Sequence, residues 1–157
     1  MTAAPPILVD RGLLPADGRL GNRLMRRFAE MNQRDRPLVL LDEQPDRWTP
    51  TRNRVDRALE GQSVLEAEIQ RGGGALDAVL YLDFGLFSRR RRRREALADL
   101  ADRYGCATGE LVALVGSGRM VDALHDVVGS LHRLDDGTGL PDALRALLRA
   151  EQSAGNQ

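Results

Sequence analysis

Three aspartates stand directly after short apolar runs, and a glycine–serine pair stands after a fourth. Ile7-Leu8-Val9 leads to Asp10, and Leu38-Val39-Leu40-Leu41 leads to Asp42. Val79-Leu80-Tyr81-Leu82 leads to Asp83, and Leu111-Val112-Ala113-Leu114-Val115 leads to Gly116-Ser117. A carboxylate so placed can attack an electrophile, move a proton or hold a hard divalent cation. A glycine–serine turn that opens a helix offers amides and a hydroxyl to an anion. Six consecutive arginines, Arg89 to Arg94, add guanidinium groups that match carboxylate or phosphate geometry.

The elements that must position these groups follow from periodicity. Four of five expected strands are the runs themselves: Ile7 to Val9, Leu38 to Leu41, about Ala78 to Leu82, and Leu111 to Val115. The fifth is Leu131 to Leu134. Between them, apolar residues recur at three- and four-residue spacing, the mark of amphipathic helices. Leu20, Leu24, Met25, Phe28 and Met31 form the first such face, and Val55, Leu59, Val64, Leu65 and Ile69 the second. Leu97, Leu100, Ala101 and Tyr104 form the third, with Ser88 as its candidate cap, and Met120, Val121, Leu124 and Val128 the fourth. Thr49-Pro50 reads as the start of the second helix. A last helix is expected over about Pro141 to Ala150, with 151–157 as a loose tail. Strands alternating with helices predict a three-layer α/β/α sandwich, a Rossmann-like domain over 1–150 with about five parallel strands. Such sheets bind ligands beyond the carboxyl ends of their strands.

Composition narrows the chemistry. The chain has 157 residues and a formal net charge of zero from 23 basic and 23 acidic side chains. That balance gives no reason to expect a nucleic acid or an anionic membrane as partner. All the basic residues are arginine, so any mechanism that needs a lysine ammonium is excluded. One cysteine, Cys106, rules out an intrachain disulfide, and two histidines are too few for a cysteine/histidine zinc site. No apolar run reaches membrane-spanning length, and the first residues lack a signal-peptide pattern, so a cytoplasmic location is expected.

Over Ile7 to Gly139 the chain resembles the haloacid dehalogenase (HAD) superfamily, nearest its small, almost capless histidinol-phosphate and heptose-bisphosphate phosphatases. The resemblance implies that Asp10 stands in the slot of the nucleophile that takes up the phosphoryl group. It also implies that Arg11 matches a residue common in that subgroup. The family's acid/base aspartate falls on Gly12. Its phosphate-binding hydroxyl falls on Asp42, followed by a fitting Gln44. Its lysine is absent, leaving Arg89, Arg90 and their neighbours as substitutes. Its first metal aspartate falls on Ser117, whereas Asp122 matches the second, so Asp10 and Asp122 would be the magnesium ligands.

Four of the family's working positions thus hold the wrong residue type. The sequence predicts a degenerate HAD phosphatase-like protein that is non-catalytic, has no cofactor, and acts through a protein partner or as a homo-oligomer. The alternative is a magnesium-dependent phosphohydrolase using Asp10 with altered motifs. A third reading is a nucleotide-binding module, because Gly116-Ser117-Gly118 precedes a helix and Asp135-Asp136 follow the next strand. The bland accounts are a rim carboxylate for Asp10, a solvated helix start for Arg89 to Arg94, and sheet-end cover for Trp48, Phe84 and Phe87.

Overall fold

Ile7, Leu8 and Val9 are wholly buried, as are Val39, Leu40 and Leu41. Consecutive residues of a strand point to opposite faces, so an unbroken buried run requires a sheet covered on both sides. The computed structural model, which describes residues 4–43, 52–84 and 90–156, has that arrangement. Strands β1 (Ile7–Asp10), β2 (Leu38–Glu43), β3 (Leu76–Leu82), β4 (Val112–Val115) and β5 (Ser130–Arg133) are all parallel, in the order β3-β2-β1-β4-β5. The helices are α1 (Asn22–Gln33), α2 (Arg52–Arg71), α3 (Arg90–Arg103), α4 (Gly118–Leu124) and α5 (Leu140–Gly155).

Alternation along the strands divides the core into two layers. Ile7, Val9, Leu38, Leu40 and Leu114 pack with Phe28 and Met31 of α1, Leu65 and Ile69 of α2, and Leu144 and Leu148 of α5. Leu8, Val39, Leu41, Ala113 and Val115 pack with Leu97 and Leu100 of α3 and Met120 and Leu124 of α4. The result is the expected three-layer, Rossmann-like α/β/α sandwich. Strand order reverses between β1 and β4, which makes the carboxyl ends of those two strands the switch point where such sheets bind ligands.

Several boundaries differ from expectation. Strand β3 starts at Leu76, because a bulge admits Asp77 before the regular pairing of Ala78 with Val39. Leu111 precedes β4 and is buried, and its carbonyl accepts the amides of Gly129 (3.1 Å) and Ser130 (3.2 Å) at the foot of β5. The expected start of α2 at Thr49-Pro50, the Ser88 cap, Trp48 and Phe87 lie outside the described residues.

The largest difference is at the end of the chain, where the stretch expected to be loose continues α5 as far as Gly155. Its anchor is the turn that closes α1. Asp35 adopts the left-handed conformation (φ 53°), and the Arg36 amide reaches back to the Met31 carbonyl at 2.9 Å, a helix-ending pattern. That turn aims two arginines at α5. Arg34 donates to the Leu148 carbonyl at 2.8 Å, and Arg36, only 8% exposed, pairs with Glu151. A buried guanidinium holds Glu151 in place, and periodicity alone does not reveal it. Glu151→Ala leaves that charge without its carboxylate and is expected to cost about 1–3 kcal/mol of stability, read as a lower thermal midpoint.

Candidate functional site

Asp10 ends β1 at the switch point and is 5% exposed. Its two oxygens accept two backbone amides on either side of the strand end. Oδ1 takes Gly12 N at 2.9 Å, and Oδ2 takes Gly116 N, just past β4, at 2.9 Å. The first bond caps the tight turn Arg11–Leu13. Arg11 then fixes the following loop by donating to the carbonyls of Leu14 (3.1 Å), Pro15 (3.0 Å) and Ala16 (3.3 Å). Its guanidinium is committed to backbone rather than directed at a ligand.

Beside Asp10 lies a crevice of about 380 Å³. Its walls include five carboxylates, those of Asp10, Asp42, Glu43, Asp135 and Asp136, together with Gly12, Leu13, Gly116, Ser117 and Gly137. None of these lining residues is basic. Leu13 is wedged between the ends of β4 and β5, which accounts for the two glycines facing it. A Cβ on Gly116 would lie 2.8 Å from Leu13 Cδ2, and one on Gly137 would lie 2.1 Å from the Leu13 carbonyl oxygen.

The other expected site residues have local partners. Ser117 caps α4, its Oγ accepting the Met120 amide at 3.2 Å. Asp42 is half-buried, and its Oδ1 accepts the Glu43 amide at 2.8 Å. Burial raises its pKa, the Glu43 amide and the Arg11 charge oppose the rise, and Asp10 adds to it. Asp136 accepts both the hydroxyl and the amide of Thr138, which lower its pKa and hold the turn after β5. Arg90 donates to Asp126 at 2.8 Å and does not line the crevice. Asp83 does not line it either, and its carbonyl accepts Arg93 Nη1 at 3.2 Å. Gln44 and Arg89 lie outside the described residues.

The pair expected to hold magnesium is not brought together at the crevice. Asp122 is exposed on α4 and is absent from the crevice walls, while both oxygens of Asp10 accept amides. Among the described residues no three histidine, cysteine or acidic side chains converge as a metal cluster. Magnesium wants a near-octahedral set of hard oxygens, and this donor set does not fit it. What sequence reasoning underweighted is the contribution of Glu43, Asp135 and Asp136. The available signal was their place at strand carboxyl ends, in Leu-Asp-Glu and Leu-Asp-Asp-Gly.

At the rim, the ring of Phe84 lies near two arginines, Arg93 at 5.3 Å and Arg119 at 5.9 Å. Arg119 also reaches Glu43 from α4 at 3.4 Å. These contacts cover the carboxyl ends of β2 and β3, in keeping with a covering role for Phe84.

Two substitutions test this geometry. Asp10→Asn points an amide N–H₂ at one of two backbone N–H donors, and is expected to destabilise the fold by about 1–3 kcal/mol in thermal or urea unfolding. A carboxylate held only for chemistry would give no such loss. For Asp42, a raised folded-state pKa means that the folded chain holds the proton more tightly than the unfolded chain, so stability falls as pH rises through that window. Asp42→Asn is therefore expected to raise the thermal midpoint at pH 7. The gain should vanish below the ordinary carboxylate pKa of about 4, as a pH series of melts would record.

No family model and no curated protein matches the sequence. Among solved structures, the fold is similar to D,D-heptose 1,7-bisphosphate phosphatase from Burkholderia thailandensis. The TM-score is 0.55 at 13% identity, covering 92% of this chain and 98% of that one. A universal stress protein from Archaeoglobus fulgidus matches with TM-score 0.48 at 16% identity, over 82% of this chain and 97% of that one. Its complex with dAMP gives 0.45 at 17%, over 83% and 98%. At these identities the likeness is one of fold alone, a Rossmann-like α/β/α sandwich.

Proposed function

We propose that this chain is a HAD-like scaffold that does not hydrolyse phosphate esters and acts through contact with protein. The observation that carries the reading is the charge of the crevice, whose described lining residues include five acidic ones and no basic one. A phosphate monoester is itself anionic at neutral pH, and at short range in a partly dehydrated cleft each carboxylate repels it. A hydrolase of this fold needs cationic groups to offset that repulsion. Arg11 is turned to three carbonyls, and Arg119 to Glu43 and Phe84.

The chemistry of Asp10 supports the same reading. Hydrogen bonds from two amides draw electron density from both oxygens and fix their orientation. Gly12 offers no side chain for proton transfer, help that is typically worth about 10²–10⁴ in rate. The nucleotide-binding alternative loses its main donor as well, because the Gly116 amide that would meet a phosphate already meets Asp10.

The test is turnover of p-nitrophenyl phosphate with millimolar magnesium. The wild-type chain is expected to match a folded Asp10→Asn control at background hydrolysis. Magnesium-dependent turnover that vanishes in Asp10→Asn would overturn the non-catalytic reading.

A further inference from the structure

The two edges of the sheet are guarded unequally. An edge strand presents unpaired amides and carbonyls, and proteins blunt it with short length, charge, proline or a bulge. At one edge β5 has four residues, Ser130-Leu131-His132-Arg133, with His132 and Arg133 exposed. At the other edge β3 has seven, and among the described residues no strand pairs with its outer side. The bulge at Asp77 protects only its start. The rest, Ala78-Val79-Leu80-Tyr81-Leu82, is in regular register and carries neither charge nor proline. Val79 packs on the α1, α2 and α5 layer and Leu80 on the α3 and α4 layer, yet both stay half-buried, so each layer stops short of this edge. Among the described residues two large apolar side chains are exposed, Leu59 (61%) and Tyr81 (47%). Tyr81 alternates in phase with Val79 and so faces the α2 layer. On α2, Leu65 and Ile69 point into the core, and Glu68 leans toward the start of α1, where it accepts the Leu20 amide at 3.3 Å. At about 100° per residue Leu59 falls on the opposite flank of α2, the one away from α1 and toward the β3 edge.

We propose that β3 pairs antiparallel with β3 of a second copy of this chain, joining two five-stranded sheets into one of ten strands. The open main-chain groups of an edge are satisfied by another strand, as in β-strand addition. This chain carries one that matches itself. The uncharged stretch 78–82 is bounded by Asp77 and Asp83, and laid antiparallel on its own copy it centres on Leu80. Tyr81 of each copy then stands opposite Val79 of the other, an aromatic–β-branched cross-strand pair of the kind that stabilises sheets. The two-fold axis is normal to the sheet, so the α2 layers of both copies share a face and each Leu59 flank turns toward the other copy. The contact is isologous and closes at two subunits. Pairing of β3 with β5 of another copy, which would run on as a filament, meets a shorter strand that carries Arg133. A lone extended peptide would satisfy the main chain but would bring no second helix layer to Leu59. Net charge of zero leaves no long-range repulsion between copies. Five paired residues a side make a small interface, so the dimer belongs to the weak class and forms at concentrations on the order of 100 μM.

The assembly deepens the reading of a contact protein and rests on it, yet its failure would be separate, since a monomer leaves the phosphatase result unchanged. The experiment is sedimentation velocity of the full chain from about 5 to about 500 μM, with amide hydrogen exchange followed at both ends of that range. Wild type is expected to move from monomer to dimer as concentration rises. Amides of 78–82 should exchange more slowly in the dimer, whereas those of β5 should not change. Tyr81→Arg puts a charge on the pairing edge and should weaken the dimer at least about tenfold. Leu59→Arg should weaken it by about threefold or more, and His132→Arg at the far edge should leave it as it was. Tyr81 and Leu59 are exposed, so both variants should melt near the wild-type midpoint, which is checked before sedimentation. The exchange measurement on wild type stands whether or not a variant folds. A wild-type monomer at about 500 μM, a dimer untouched by Tyr81→Arg, or a dimer whose 78–82 amides exchange as in the monomer would each overturn the proposal.

Discussion

The carboxylate of Asp10 is the constraint from which the site follows. A parallel sheet leaves amides unpaired where strand order reverses, because the neighbouring chain segments leave the sheet there for opposite faces. One aspartate satisfies two of those amides, Gly12 N and Gly116 N, and so ties the end of β1 to the end of β4. Once that tie exists, the Arg11–Leu13 turn is fixed, Leu13 lies between the ends of β4 and β5, and the residues facing it must lack a side chain. The crevice is what remains between Leu13, the end of β2 and the turn after β5.

The fold is a Rossmann-like sandwich with its crevice at the switch point, and the groups there are turned to the chain itself. Ser117 gives its hydroxyl to a helix cap, Arg11 its guanidinium to carbonyls, and Asp10 its oxygens to amides. Each group is satisfied locally, so none is poised for an incoming anion. Burial raises the pKa of Asp42, and the nearby charges of Asp10 and Glu43 add a smaller push in the same direction. Fold likeness therefore fixes where a ligand would sit, while the side chains decide its sign.

Much of the fold was legible because a doubly covered parallel strand reads as an unbroken apolar run, and Ile7–Val9 and Leu38–Leu41 are such runs. The edge strands were less clear. Ser130–Arg133 is short and polar, and β3 carries a bulge at Asp77 that shifts its start. The helical 151–155 was illegible because its anchor, Arg36, is remote in sequence and sits in a turn whose aim depends on a left-handed Asp35. At the site, position was legible and role was not. Asp10 and Asp42 stand where strand ends put them, but only coordinates show that the Asp10 oxygens face two amides. Asp122 matched by spacing, yet a seven-residue helix leaves it exposed and away from the crevice walls.

A cleft of like charges is unstable on its own terms, and a fold tolerates it only when burial elsewhere is ample. Two apolar layers, each reaching wholly buried residues, supply that reserve. The charge still favours any state in which a cation enters from outside, because the described residues lining the cleft include no basic one. Arg11 is directed to backbone carbonyls and Arg119 to Glu43 and Phe84, while exposed Arg133 ends β5 just before Asp135.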